Sequence, residues 1–315
     1  MKKASSVYDE SPFHAFVKSF SVSPLRPAVI RCIISVAYNF FFRQYRAALL
    51  PGRVPVSRVD HPLDLKIPFV PSWVTIYLDF VSYWIRMLGF LLHVYRRRAY
   101  DAVREFLISM SRLYIFAAKI YQKNFSTTDR PFYIARPRFF VIHLLDPHLM
   151  CIPSLHVMVV VWTYTKFTAI LRSFNDAGRY SAQIEEMKQG AIAITHAILF
   201  VKQHSINCIA ASLYAMTRFC GELIPPQEAE AFINLLFWEA PPPCTLHTMS
   251  ANYKVRPWAA PRTKIPGEDA SIIKTHIISL FRRFLEEGKT AREWEEPLLN
   301  FMRQMPLRDT SAPKL

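Results

Sequence analysis

The stretch Cys151-Ile-Pro-Ser-Leu-His-Val-Met158 combines a helix start, a titratable histidine and the beginning of an apolar run. Pro153 fixes φ near the value that a first helical turn needs, and the Ser154 hydroxyl can accept hydrogen bonds from the free N–H groups of that turn. Because His156 follows and Val157 to Trp162 is apolar, the segment predicts an anion site at the start of a buried helix. The same pattern is also common in helices that bind nothing.

The composition favours a helical or membrane protein. Of the 315 residues, 51% are hydrophobic and only seven are glycines, so a turn-rich β architecture has little support. No signal peptide is expected, because Lys2 and Lys3 are followed by a mixed polar stretch. The cysteines lack the paired spacing of zinc sites or disulfide frameworks and are expected to be unbridged. They are Cys32, Cys151, Cys208, Cys220 and Cys244.

The net charge of +15 is unevenly distributed along the chain. From Gly221 to Leu315 there are 12 basic and 12 acidic side chains, so the whole excess lies in the first 220 residues. There it alternates with the most apolar segments, which is typical of loops at an anionic membrane surface and of phosphate sites. Nucleic-acid binding is the competing explanation, but the chain contains no recognisable nucleic-acid module and its apolar runs are too long for one.

The order of polar and apolar segments predicts an all-α, polytopic membrane helix bundle of about six transmembrane helices with a C-terminal extension. We expect a polar extension over 1–26, the membrane domain over 27–220, and a Pro-rich segment with an amphipathic helical tail over 221–315. Helices are predicted over 27–42, 69–95, 103–121, 153–171, two short ones within 190–219, and 271–285. The stretches 43–68 and 122–150 are expected to be loops, and 172–188 a polar cytoplasmic segment.

The apolar segment 69–95 is long enough to cross a bilayer, although it carries charged residues. Asp79 and Arg86 lie seven residues apart, so a helix places them on one face. An ion pair that faces the interior of a bundle is the usual way to keep such groups at membrane depth. A soluble helix bundle would tolerate the same pair more easily.

Three polar clusters lie at the ends of predicted helices. They are Lys123-Asn-Phe-Ser-Thr-Thr-Asp-Arg130-Pro131, Pro153-Ser154-Leu155-His156 and Lys202-Gln203-His204. If the helices alternate across a membrane, all three clusters fall on the same side. Such a set suits phosphoryl transfer, because cations and a helix N-terminus offset the charge of the phosphate oxygens. Two histidines can then divide the remaining work, one attacking phosphorus and the other protonating the leaving oxygen.

These clusters resemble the signature of the type 2 phosphatidic acid phosphatase superfamily, Lys-x6-Arg-Pro, then Pro-Ser-x-His, then Ser-Arg-x5-His-x3-Asp. The resemblance covers about residues 27–220 and implies a six-helix membrane fold that works without a metal or cofactor. It also implies that His204 is the nucleophile that forms a phosphohistidine and that His156 is the general acid. The phosphate would be held by Lys123, Arg130 and the amides around Ser154 and Leu155.

The third motif of this chain departs from the family pattern. Ala197 and Ile198 occupy the Ser-Arg positions, and Cys208 stands where the family has Asp. Lys202 can supply the missing cation, since it lies two residues before the histidine. For the missing carboxylate the candidates are Asn207, which can orient an imidazole but not stabilise its charge, and Asp146, if its loop folds back.

The resemblance therefore implies an integral membrane phosphatase or phosphotransferase acting on a lipid phosphate or phosphodiester. We expect it in the cytoplasmic membrane, with its site near the extracytoplasmic face and with no nucleic-acid partner. Hydrolysis and headgroup transfer share the phosphohistidine step, so the motifs do not separate them. The alternative is a catalytically impaired family member that binds a lipid or a protein, and the substitution of Cys208 favours it.

Overall fold

The computed structural model describes residues 6–50, 52–237 and 265–307, and these residues are mostly helical. A π-helical segment, Ala37–Phe42, joins the second and third helices without a break. Two three-residue strands, β1 (Val56–Arg58) and β2 (Phe125–Thr127), pair in parallel. The helices are α1 (Pro12–Ser21), α2 (Arg26–Val36), α3 (Arg43–Leu49), α4 (Val74–Val94), α5 (Tyr100–Tyr121), α6 (Pro137–Leu145), α7 (Leu155–Ser173), α8 (Ser181–Phe200), α9 (Ile206–Phe219), α10 (Pro226–Asn234), α11 (Gly267–Thr290) and α12 (Glu296–Arg303).

Helix α7 is the centre of the bundle and packs against α4, α5, α8 and α9. Every residue from 151 to 163 is buried, as expected for a helix that is apolar on all sides. Around this centre α1 packs on α4, α2 packs on α5, and α11 packs along α9. The start of α7, which carries the Pro-Ser-x-His motif, therefore lies in the interior.

Most of the predicted helices are present at the predicted places. Four of them correspond to α2, α4, α5 and α7, and the two short helices within 190–219 are α8 and α9. The tail helix is α11, and its apolar positions, such as Ile273 and Ile277, are buried against the rest of the chain. Of the cysteines, Cys32, Cys151, Cys208 and Cys220 are free thiols, and Cys244 lies outside the described residues.

Two predicted loops and one predicted polar segment contain helices or strands. The stretch 43–68 contains α3 and β1, and 122–150 contains β2 and α6. Helix α8 begins at Ser181, inside the stretch predicted to be polar and cytoplasmic. Its polar residue Glu186 is buried because its carboxylate accepts hydrogen bonds from the Ser6 hydroxyl and, at 2.8 Å, from the Val7 N–H. The local sequence predicts that Glu186 is exposed to solvent, but hydrogen bonds from the distant N-terminal segment allow it to be buried.

Among the described residues, one helical segment, Pro71–Val94, is long and apolar enough to cross a membrane. The mostly helical fold is confirmed, whereas the polytopic membrane arrangement stays a prediction. Within this segment the predicted pair is present, since Arg86 Nη1 lies 2.8 Å from Asp79 Oδ1. Both side chains are at least 85% buried, which matches the prediction that they face the interior together.

Candidate active site

The starts of α7 and α9 bring two histidines and a serine together. Ser154 Oγ lies 3.3 Å from His204 Nε2, although the two residues are 50 positions apart. The rings of His156 and His204 have centroids 5.4 Å apart and are inclined by 65°. Two predicted catalytic residues and one predicted phosphate-binding residue therefore share one small region of the interior.

The sequence predicts that the Ser154 side chain caps its helix, but in the structure it does not. It is the N-cap of α7, but its hydroxyl makes no capping bond and faces His204 instead. Its backbone N–H donates to Ser212 Oγ at 2.7 Å. The Ser154 amide, which was predicted to hold phosphate, is thus already bonded within the protein. Leu155, whose amide was also predicted to hold phosphate, is the first residue of α7 and is buried.

His156 is held in place by aromatic residues of α4. Its ring stacks on Tyr77 at 4.5 Å between centroids and lies 4.2 Å from that of Phe80. The ring of a candidate general acid is thus fixed in orientation by packing, which favours proton transfer to one particular position. Nothing in the local sequence identifies these two neighbours, because they belong to another helix.

His204 is more than nine-tenths buried, and this burial lowers its pKa to about 3. The imidazole is consequently neutral near pH 7, as a nitrogen nucleophile must be. Its Nδ1 atom makes no hydrogen bond to any residue that the structure describes. A hydrogen bond between the His204 ring and the backbone of Cys151 raises the pKa, but burial has the larger effect.

The predicted cations have different surroundings. Arg130 donates to Gln203 Oε1 at 3.2 Å and to the carbonyl of Asp146 at 3.1 Å, so it lies beside the residue that precedes His204. The Lys202 ammonium instead donates to the carbonyls of Asp64 and Ile67, each at 2.5 Å. These contacts direct Lys202 to a loop, and they argue against its use as a substitute cation.

Lys123, the first cation of the motif, forms an ion pair with the C-terminal part of the chain. Its Nζ atom lies 2.7 Å from Glu295 Oε1, and Glu295 is 3% exposed. The sequence contains no local signal for this contact, because the two residues are 172 positions apart. The structure thus brings Ser154, His156 and His204 together, while Lys123 is held by a carboxylate from elsewhere.

Neither candidate for the missing carboxylate binds His204. Asn207 donates to the Val59 carbonyl at 3.1 Å, and its Oδ1 accepts from His276 Nε2 at 2.9 Å. Asp146 Oδ1 accepts from the N–H of His148 at 2.9 Å, within its own turn. Both side chains therefore have other partners.

A third histidine belongs to the site, although the sequence does not predict it. The ring of His148 lies 6.3 Å from that of His204, and its Nε2 is 2.8 Å from Thr128 Oγ1 and 3.7 Å from Cys151 Sγ. His148 lies at the end of the stretch 122–150, which was predicted to be a loop, so only the path of that loop in space places it near His204. The described ranges contain no group of three histidine, cysteine or carboxylate side chains that could hold a metal ion.

No protein-family model, curated protein or solved structure matches this chain. The likeness to the phosphatase superfamily therefore stays a resemblance of three short sequence motifs. Of the motif residues, Ser154 contacts His204, and the ring of His156 lies beside that of His204. Arg130 lies near them because it donates to Gln203, the residue before His204.

The buried histidines predict a loss of stability in mild acid. Burial lowers the pKa of His276 to about 4 and that of His204 to about 3, from 6.5 in the unfolded chain. As the pH falls below 6.5 the unfolded chain therefore binds protons that the folded chain does not, so stability is complete above that pH and declines below it. We expect the melting temperature to fall steadily from pH 7 to pH 4.5.

The variant His276→Gln tests this prediction, because glutamine can still donate to Asn207 but does not titrate. It should reduce the loss by about 1 kcal/mol, a value discounted for the partial exposure of the ring. Scanning fluorimetry across the pH range provides the measurement. A variant as acid-sensitive as the wild-type protein would show that His276 is not a source of the effect.

Proposed function

We propose that this chain is an integral membrane enzyme that transfers the phosphoryl group of a lipid phosphate or phosphodiester through a phosphohistidine. One observation carries the proposal: Ser154, His156 and His204 converge from two helix starts that are far apart in the sequence. A neutral, buried imidazole at 5.4 Å from a second imidazole has the geometry of a nucleophile and its acid partner.

In the proposed reaction, His204 Nε2 attacks phosphorus and the bond from phosphorus to the leaving lipid oxygen breaks. His156, which has to be an imidazolium once the substrate is bound, gives a proton to that oxygen and becomes neutral, and Arg130 offsets the charge on the phosphate. A water or a lipid hydroxyl then attacks the phosphohistidine and transfers its proton to His156, and the P–N bond breaks. From a lipid phosphate the product is inorganic phosphate when water attacks and a new phosphomonoester when a lipid hydroxyl attacks. From a phosphodiester the corresponding products are a phosphomonoester and a new phosphodiester. His156 ends as an imidazolium and His204 as a neutral imidazole, as before the reaction.

Exposed apolar side chains support the membrane part of the proposal. They are concentrated on α1, on the continuous helix from α2 to α3, and on α6, where Ile34, Phe42, Phe140 and Leu144 are each at least half exposed. Large exposed apolar patches mark surfaces that meet lipid or another protein. Together with the apolar length of Pro71–Val94, they support a chain that lies in a membrane. The number of about six membrane helices and a site near the extracytoplasmic face are proposed from the resemblance alone.

Turnover of a lipid substrate is the direct test. The purified protein in detergent is offered phosphatidic acid or a diphosphate lipid with a chelator present, and release of inorganic phosphate or transfer to a lipid hydroxyl is measured. We expect slow turnover that His204→Ala reduces by about 10²-fold, since wild-type catalysis already lacks the carboxylate partner. Equal rates for both proteins would exclude His204 as the nucleophile.

A second candidate function is that of a catalytically impaired member of the superfamily that binds lipid or a protein. It is favoured by His204 Nδ1, which has no hydrogen-bond partner among the described residues, and by Cys208 at the position of the family's Asp. Under this alternative the wild-type protein releases no phosphate from any substrate but still binds lipid vesicles. Vesicle flotation alongside the phosphate assay separates the two functions.

A further inference from the structure

The C-terminal part of the chain is anchored beside the predicted phosphate-binding residue Lys123. The Trp294 ring stacks on Phe116 with centroids 3.8 Å apart and planes 10° apart, and its carbonyl accepts from the Tyr214 hydroxyl at 2.9 Å. Farther along, the Pro306 carbonyl accepts from the N–H of Arg58 at 2.7 Å. These contacts hold the segment in place independently of any charge on Glu295.

Glu295 is a buried carboxylate that is only partly satisfied. Its Oε1 accepts from Lys123 Nζ at 2.7 Å, whereas Oε2 is buried and has no hydrogen-bond partner among the described residues. A buried carboxylate with an unsatisfied oxygen weakens the folded state unless its charge is compensated. The Lys123 side chain is 51% exposed, so water is present on the other side of the pair.

A carboxylate and a phosphate compete for the same ammonium group. We propose that Glu295 is a positioning residue that holds Lys123 in a resting state, and that a phosphate group must displace it before Lys123 can bind. This inference rests on the proposed function and on the role in phosphate binding that the resemblance implies for Lys123. The C-terminal segment would then set the affinity for phosphate from within the same chain.

A second contact of the same segment lies close to the nucleophile. His276 of α11 donates to Asn207, three residues after His204, and its ring stacks on that of His61 at 3.9 Å. The segment thus touches both Lys123 and the start of α9. Because His156 and His204 are each at least nine-tenths buried, entry of a phosphate requires neighbouring groups to move.

The resting ion pair can be tested without turnover by measuring the reactivity of Lys123. The intact protein is treated with an acetylating N-hydroxysuccinimide ester, and acetylation of Lys123 is quantified by peptide mass spectrometry. We expect Glu295→Gln to increase the labelling several-fold, since glutamine occupies the same space without the charge. Inorganic phosphate should reduce that labelling in the variant at lower concentrations than in the wild-type protein.

Phosphate affinity gives the second readout. We expect Glu295→Gln to bind inorganic phosphate about fivefold more tightly in calorimetry, as expected for release of a half-exposed ion pair. For a lipid substrate, KM should fall by a similar factor with kcat unchanged, because Lys123 binds ground state and transition state alike. The gain should disappear in the double variant Glu295→Gln/Lys123→Ala.

Asp269→Asn is the matched control. It removes one negative charge from the same C-terminal segment, but Asp269 pairs with Lys66 rather than with Lys123. It should change neither the labelling of Lys123 nor phosphate affinity. If Glu295→Gln fails to fold, Glu295→Asp replaces it, because its side chain is one methylene shorter. It should increase the labelling of Lys123 and the affinity for phosphate by smaller factors.

The outcomes distinguish this inference from the proposed function. Unchanged labelling of Lys123 in Glu295→Gln, or labelling that phosphate does not reduce, would overturn the inference. A phosphate-affinity gain that survives Lys123→Ala would overturn it as well. If labelling and affinity change as expected but no variant turns over lipid, the competition between Glu295 and phosphate stands and the catalytic proposal fails.

Discussion

Replacing Cys208 with Asp is expected to raise the rate of phosphate release by about 10³-fold or more. An acid partner fixes the tautomer of a catalytic imidazole and stabilises the imidazolium, and its removal elsewhere lowers the rate by about 10⁴. Here position 208 lies four residues after His204, is fully buried, and carries a thiol instead of the family's carboxylate. His204 Nδ1 has no hydrogen-bond partner among the described residues, so its N–H is free to donate to a carboxylate at position 208.

Cys208→Asn is the control, because it offers an acceptor of the same size without the charge. It should recover only the orientation of the ring and hence a small part of the gain. The rates are measured as phosphate release in detergent, with melting temperatures to confirm that both variants are folded. A folded Cys208→Asp protein no faster than the wild-type protein would show that the carboxylate is not what the site lacks.

Removing Asp79 is expected to destabilise the protein by about 3–5 kcal/mol, because it leaves the charge of Arg86 buried without its partner. Arg86 lies 2.8 Å from Asp79, and both side chains are at least 85% buried. Its guanidinium also lies 5.0 Å from the centre of the Tyr8 ring, which alone does not replace a carboxylate. In a chain of this length such a loss corresponds to a melting temperature about 10 °C lower in Asp79→Ala.

The double variant Asp79→Leu/Arg86→Met distinguishes the unpaired charge from the loss of packing. Because it removes both charges and keeps apolar volume, its melting temperature should return close to that of the wild-type protein. Asp101→Ala is the surface control, since its pair with Arg104 is exposed and should contribute little. A double variant as unstable as Asp79→Ala would locate the defect in packing rather than in charge.

The motif order was informative about which residues meet. Ser154, His156 and His204 were selected from sequence spacing, and they lie together in the structure. The roles of the flanking polar groups were less predictable. Lys202 matched a plausible position in the motif, yet its positive φ and the two loop carbonyls that it binds place its ammonium elsewhere.

The sequence by itself determined the helical content, most of the helix positions, the burial of α7 and the pairing of Asp79 with Arg86. These features are local, because apolar periodicity and spacing along one helix decide which side chains share a face. Of the missed helices, α3, α6 and α10 lie in stretches where prolines or basic residues hide a short helical pattern, and α12 lies beyond the predicted tail helix.

Only the tertiary structure decided which polar groups satisfy one another. The Ser154 amide is taken by Ser212, Glu295 holds Lys123, and His148 joins the two motif histidines. Each of these contacts joins residues that are far apart in the sequence, so no local pattern predicts it. They depend on the paths of the loops and on the requirement that buried polar groups find partners, which is a property of the whole packed chain.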